Sequence, residues 1–242
     1  MIIRALRAEL IKGRHALVWI AFVVLPLIPA FLGTFNYLGN LALLKSGWYS
    51  LWTQHTLFAS YFFLPALLAV YCAWEWRLEN TDHNFNSFLT APISTTALYL
   101  GKLIPAIGVS VLAQLVVGLL FIASGFLAGI REPLPPELFE WLCCGALGSI
   151  AVCAVQLFLS LLIKSFAIPV AIGLLGGIAG LMATAQGWAL YFPYSLLSVG
   201  MRANNPNMEI DLAQLALSTL VYTVLFAALS VRLLAQRDVT GD

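Results

Sequence analysis

The chain has 242 residues, 61% of them hydrophobic and 10% charged, with a formal net charge of +1. An ordinary soluble domain carries about 25% charged residues, so this composition excludes one and points to a chain immersed in hydrocarbon. The near-zero charge, with basic residues scattered rather than clustered, excludes nucleic acid as a partner.

In chain order, the first feature is residues 1–14, where Ile2, Ile3, Leu6 and Leu10 recur at helical spacing while Arg4 and Lys12 fall on other faces. Two readings fit: a short amphipathic helix in the membrane interface, or a positively charged flank that orients the first span. A crossing helix needs about 20 mostly apolar residues. Runs of that kind fall at His15–Phe35, Leu51–Trp74, Tyr99–Ile130, Phe139–Ile163, Phe166–Ala185 and Leu212–Leu234. The first exceeds the apolar stretch of a secretory signal and is expected to be a permanent span. The third is long for a straight crossing, so tilt or an interfacial start near Tyr99 and Gly101 is expected.

Lys and Arg are retained on the cytoplasmic side of a membrane. An inside amino terminus places Arg4, Arg7, Lys12, Arg14, Arg77, Lys102, Lys164, Arg232 and Arg237 in the cytoplasm and leaves Lys45, Arg131 and Arg202 outside. Both termini are therefore expected to be cytoplasmic. The fold class that follows is an all-α integral membrane protein, a single domain over 1–242. It has six transmembrane helices, an interfacial helix at 1–14, a cytoplasmic loop at 75–98 and an outer re-entrant segment at 186–211.

The 75–98 loop holds Glu75, Arg77, Glu79, Asp82 and His83 and is the one inner loop large enough to dock a partner. Its end reads as a helix restart, because Pro92 cannot continue a helix while Ser94 or Thr95 can cap the next. In the outer segment, Trp188–Val199 is too apolar for water and too short to cross, the mark of a re-entrant or interfacial piece. Trp188, Tyr191, Phe192 and Tyr194 suit the headgroup level, and Asn204–Asn207 is a turn in water.

No phosphate-binding Gly-x-x-x-x-Gly-Lys-Ser/Thr loop is present, nor a hydrolase or metalloprotease motif. His15, His55 and His83 lie in different segments, and Cys72, Cys143, Cys144 and Cys153 lack zinc-ligand spacing. No enzymatic role, no metal and no cofactor held by this chain is expected. Polar residues at depth are Gln114 and Gln156, with His55 near the outer end of its span; each either bonds between helices or lines a substrate path. The pairs Gly125/Gly129, Gly173/Gly177 and Gly176/Gly180 allow close helix approach, within the chain or between subunits.

The stretch Glu79-Asn80-Thr81, then Phe88-Leu89-Thr90-Ala91-Pro92-Ile93-Ser94, then Leu98-Tyr99-Leu100-Gly101-Lys102 resembles permease subunits of type-2 ABC exporters. It is most similar to the lantibiotic immunity branch, the NisE/NisG type, with Glu79, Pro92 and Lys102 matching in kind and spacing. It departs from that branch at Asn80, Thr81 and Thr95, where Gly and a basic residue are usual.

The resemblance implies that ATP and Mg are bound by separate ABC ATPase subunits. They would dock on a coupling helix formed around Glu75, Glu79, Asn80, Thr81, Asp82, Pro92 and Lys102. It also implies a second permease, identical or paralogous, and placement in a bacterial cytoplasmic membrane; the length and polarity mismatch of Trp188–Val199 on the exit side predicts an outer gate at Trp188, Tyr191, Phe192 and Tyr194. The expected activity is export of a lantibiotic or similar membrane-active peptide. Export of another amphiphile, a lipid or drug, and a non-transporting scaffold or sensor remain open.

Overall fold

The computed structural model describes residues 2–14, 16–80 and 93–236. The elements are α1 (Ile2–Gly13), α2 (Val18–Gly39), α3 (Gly47–Phe58), a π-helical turn (Ala59–Phe63), α4 (Leu64–Asn80), α5 (Thr95–Leu127), α6 (Leu138–Leu162), α7 (Ala167–Ala185), a 3-10 turn (Ala189–Tyr191), α8 (Ser195–Gly200) and α9 (Leu212–Ala235). Among the described residues there is no strand. Among the described residues six helices are long and apolar enough to cross a membrane: α2, the continuous Gly47–Glu79 rod of α3, the π turn and α4, then α5, α6, α7 and α9. This is a multi-pass integral membrane protein, because helices satisfy their own backbone polar groups and expose only side chains to lipid.

The spans begin and end where local chemistry permits. Ser94 caps α5, its Oγ accepting from Ala97 N at 3.3 Å, so of the two capping candidates it is the serine that acts. At the start of α9, Asp211 accepts from the backbone N–H groups of Ala213 and Gln214 at 2.9 and 3.1 Å. The long third run forms a single 33-residue helix. Its first turns lie under α1, with Ala5 Cβ 3.0 Å from where a Cβ on Gly101 would be. Tyr99 and Lys102 are fully buried there.

The rod Gly47–Glu79 is the centre of the bundle, two-thirds buried, while α9 is the most peripheral span. At the end of the bundle away from α1, Trp48, Trp52, Phe121 and Trp141 form a buried aromatic block. The indoles of Trp48 and Trp52 donate to Glu132 O and Met201 O at 2.8 and 2.9 Å, which ties the loops to the rod. Trp48 and Trp52 thereby satisfy their buried N–H groups, whereas the Trp141 N–H in the same block has no hydrogen-bond partner among the described residues.

The glycine pairs of α7 work on two faces. Gly173 and Gly177 press on Ala69, Pro65 and the Tyr61 backbone, while Gly176 and Gly180 receive Tyr194 and Ser195. Both pairs serve packing within the chain. Gly125 gives way to the Trp48 ring, whereas Gly129 sits in open space with φ +79°, ending α5.

Candidate functional site

At the α1 end of the bundle four charged side chains close into a ring. Glu9 and Lys12 come from α1, Glu79 from the last turn of α4 and Lys102 from the second turn of α5. Lys12 Nζ lies 3.0 Å from Glu9 Oε1 and 2.5 Å from Glu79 Oε1. Lys102 Nζ lies 3.2 Å from Glu9 Oε2 and 2.9 Å from Glu79 Oε1. Each carboxylate thus faces both ammonium groups. Lys102 is 0% exposed; it also donates to Glu75 O at 3.2 Å and sits 5.0 Å from the Trp76 ring centroid. Burial alone would lower the Lys12 pKa, but Glu79 and Glu9 outweigh it and the net shift is upward.

This arrangement relocates what the sequence suggested was a loop. The helix α4 runs through Asn80, so Glu75 and Glu79 belong to its buried face rather than to a solvated connector. Glu75 is 1% exposed, and its carboxyl oxygens make no hydrogen bond of normal geometry; Lys102, Glu9, Tyr71, Cys72, Tyr99 and Cys153 are among the titratable groups around it. Asn80 closes the helix, whereas Thr81, Asp82 and Pro92 lie outside the described residues.

The α1 end is also where Arg77 stacks over the Phe166 ring, 5.6 Å from its centroid, joining α4 to the α6–α7 turn. At the opposite end the segment after α7 dives into the bundle and returns. Trp188 and Tyr191 are exposed at its start. Tyr194 is buried and reaches Gln156, eight residues further along α6 than Gly148, or about 12 Å deeper at 1.5 Å per residue. The helix α8 then climbs back antiparallel to α6, with the Leu196 backbone against Gly148 and Gly200 against the Cys144 backbone. Leu196, Leu197, Ser195 and Ser198 are fully buried in consequence.

Residues 5–180 match the family model of the ABC-2 family transporter protein, which is well over half of the chain. The chain belongs to the ABC-2 transporter family. Among curated proteins no sequence matches it significantly. Membership makes the chain a membrane subunit of an ABC transporter, and such a permease works with an ABC ATPase. The matched range takes in the charged ring and ends within α7, before the re-entrant segment.

The permease does not gather the three polar residues singled out at depth. His55 Nε2 bonds Thr34 Oγ1 at 3.0 Å between α3 and α2, where Gly33 makes room for the ring. Gln156, in the amide orientation that satisfies both its ends, accepts from Tyr194 Oη at 2.8 Å and Gly173 N at 3.1 Å and donates to Pro169 O at 3.2 Å. Gln114 is buried between α5 and α6 near Gly145, with Oε1 unpartnered. His55 and Gln156 spend their polar atoms on neighbouring helices, the usual answer for polar side chains in hydrocarbon.

Two features escaped the sequence reading. One is the share of Glu9 and Lys12 in the charged ring; the signal was there in Glu9, the sole acidic residue of a basic amphipathic helix, three residues before Lys12. The other is a cleft of about 480 Å³ on the side of the bundle, lined only by Leu25 of α2, Phe58, Phe62, Phe63 and Ala66 of the rod, and Leu174 of α7. Phe58 precedes the π turn and Phe62 and Phe63 end it; the turn adds a residue to the helical period and redirects the side chains along it. No periodicity in the sequence announces that.

Proposed function

We propose that this permease expels a membrane-active amphiphile, a lantibiotic-type peptide, from the bacterial cytoplasmic membrane, driven by ATP and Mg bound on a separate ABC ATPase. The observation that carries the reading is the side cleft. An apolar recess with no polar lining, opening where lipid tails would lie, suits the hydrophobic flank of a molecule already dissolved in the bilayer. The resemblance of the Glu79–Lys102 region to lantibiotic immunity permeases supports a peptide over a lipid or drug.

On this reading the α1 end faces the cytoplasm, with both termini, and the ATPase docks on the segment joining α4 to α5, through Asn80, Thr81, Asp82 and Pro92. A push there reaches the helix ends that carry Glu79 and Lys102, and the charged ring passes it to α1. A second permease, identical or paralogous, faces this one across the substrate path. Trp188, Tyr191 and Phe192 stand at the outer exit, with Tyr194, expected beside them, buried beneath against Gln156; there Tyr191 Oη and Gln214 lie 3.1 Å apart and Tyr222 donates to Tyr191 O.

Orientation is checked by reporters fused after Asp242 and inserted at Asn205. Cytoplasmic and exterior signals respectively are expected, as the Lys and Arg distribution requires; the same side for both would overturn the topology. Function is checked in vesicles holding the permease and its cognate ATPase. Lantibiotic peptide should stimulate ATP hydrolysis, and Leu174→Trp, which fills the cleft, should raise the peptide concentration needed by about tenfold, the equivalent of ~1.4 kcal/mol of binding. Stimulation by phospholipid or a lipophilic drug but not by peptide would reassign the substrate. A response of Leu174→Trp equal to wild type would remove the cleft from the path.

A further inference from the structure

The helix α1 has two sides that differ in burial, and its exposed side interleaves apolar and basic residues. One is buried, Ala5 against Gly101 of α5, Glu9 against Lys102 of α5 and Gly13 against Trp74 of α4. The other exposes large apolar side chains that no described part of the chain covers: Ile3 is 68%, Leu10 58% and Ile11 74% exposed. Between and beside these stand Arg4 and Arg7, with Arg14 just past the helix, all exposed. The single carboxylate of the helix, Glu9, is turned inward and neutralised in the ring with Lys12, Glu79 and Lys102. Every charge that α1 shows to its surroundings, other than the paired Lys12 at its edge, is therefore an arginine.

From this we infer that the outer side of α1 is a binding surface for anionic phospholipid headgroups, and that this lipid contact holds α1 in register with the charged ring. Charge complementarity selects the occupant. Isoleucines and a leucine left in water would be unfavourable, and a helix beside the ends of the spans can sink them into the acyl boundary while its arginines stay with the phosphates. Guanidinium groups pair with phosphate oxygens bidentately, which zwitterionic headgroups, carrying their own ammonium, compensate internally. Each arginine near an anionic surface contributes roughly a fivefold preference, so three together amount to about a hundredfold. The inference adds a lipid partner to the proposed exporter but does not depend on transport, since lipid binding is read without ATP.

The test places the full chain in nanodiscs of phosphatidylcholine, with or without phosphatidylglycerol, and follows amide hydrogen exchange across residues 2–13. Phosphatidylglycerol should slow exchange there by about tenfold or more, a conservative share of the charge preference. In R4Q/R7Q/R14Q, which leaves the buried side intact, that dependence should vanish while exchange in α5 and α6 is unchanged. Native mass spectrometry should show phosphatidylglycerol retained by wild type over the triple variant. Equal exchange of 2–13 in both lipids would overturn the inference. So would protection appearing only on addition of the ATPase, which would make α1 a protein-docking face instead.

Discussion

Lys102→Met is expected to destabilise the permease by about 3–5 kcal/mol, the cost of breaking a buried ion pair so that its partner charges are left uncompensated. Lys102 is wholly buried between Glu9 and Glu79, and its loss leaves two carboxylates facing the half-buried Lys12 alone. Solvent-exposed pairs contribute only about 0–1 kcal/mol, so the size of the effect separates a buried ring from a surface decoration. The readout is the thermal unfolding midpoint in detergent, together with protease cleavage within residues 2–14. A fall of many degrees and a newly cleavable α1 are expected. Adding Glu79→Gln to Lys102→Met removes one stranded charge and should recover part of the loss. A midpoint for Lys102→Met equal to wild type would show that the ring is solvated and holds nothing. The same geometry changes what Glu79→Lys would report: three ammonium groups would meet in a closed space, so failure to fold precedes any failure to bind the ATPase.

The six spans were legible because crossing hydrocarbon imposes a length and an apolar composition that no other structure shares. The run Phe139–Ile163 became α6 at Leu138–Leu162, and Phe166–Ala185 became α7 at Ala167–Ala185. The second apolar run spans only Leu51–Trp74, whereas the rod extends to Gly47 at one end and Asn80 at the other. Hydropathy stops at the first charged residue, whereas the helix continues by burying Glu75, Trp76 and Glu79 against α1 and α5. That burial rests on Lys12 and Lys102, which are far away in sequence, and no local pattern carries such a pairing. Trp188 follows the rule that puts aromatic rings at the headgroups, but Trp48, Trp52 and Trp141 are packed inside. Composition cannot separate the two uses, because in both the ring body takes an apolar environment.

Gly148→Leu is expected to unseat the re-entrant segment. Trp188–Val199 was recognisable as too apolar for water and too short to cross, but what receives it was not. The glycines that matter most, Gly148 and Gly200, stand outside the three G-x-x-x-G pairs noted in the sequence. A Cβ at Gly148 would overlap the Leu196 carbonyl and crowd Leu197 N, and backbone on both sides leaves nothing flexible to yield. Overpacking of this kind costs about 1–3 kcal/mol, and the upper end applies where main chain meets main chain. The segment has few alternatives, since Ser195, Leu196, Leu197 and Ser198 are all buried by this one contact with α6 and by α7. The measurement is labelling of Ser198→Cys by a membrane-impermeant thiol reagent, with Cys72, Cys143, Cys144 and Cys153 replaced. Labelling should be absent with Gly148 present and rapid in Gly148→Leu. Gly108→Leu is the matched control, because a side chain at Gly108 meets nothing within 4 Å and faces outward from α5. If Ser198→Cys stays protected in Gly148→Leu, the segment is held by Tyr194 and Gln156 rather than by the glycine contact. Should both glycine variants expose it equally, the seat is loose and the buried α8 is no fixed part of the outer exit.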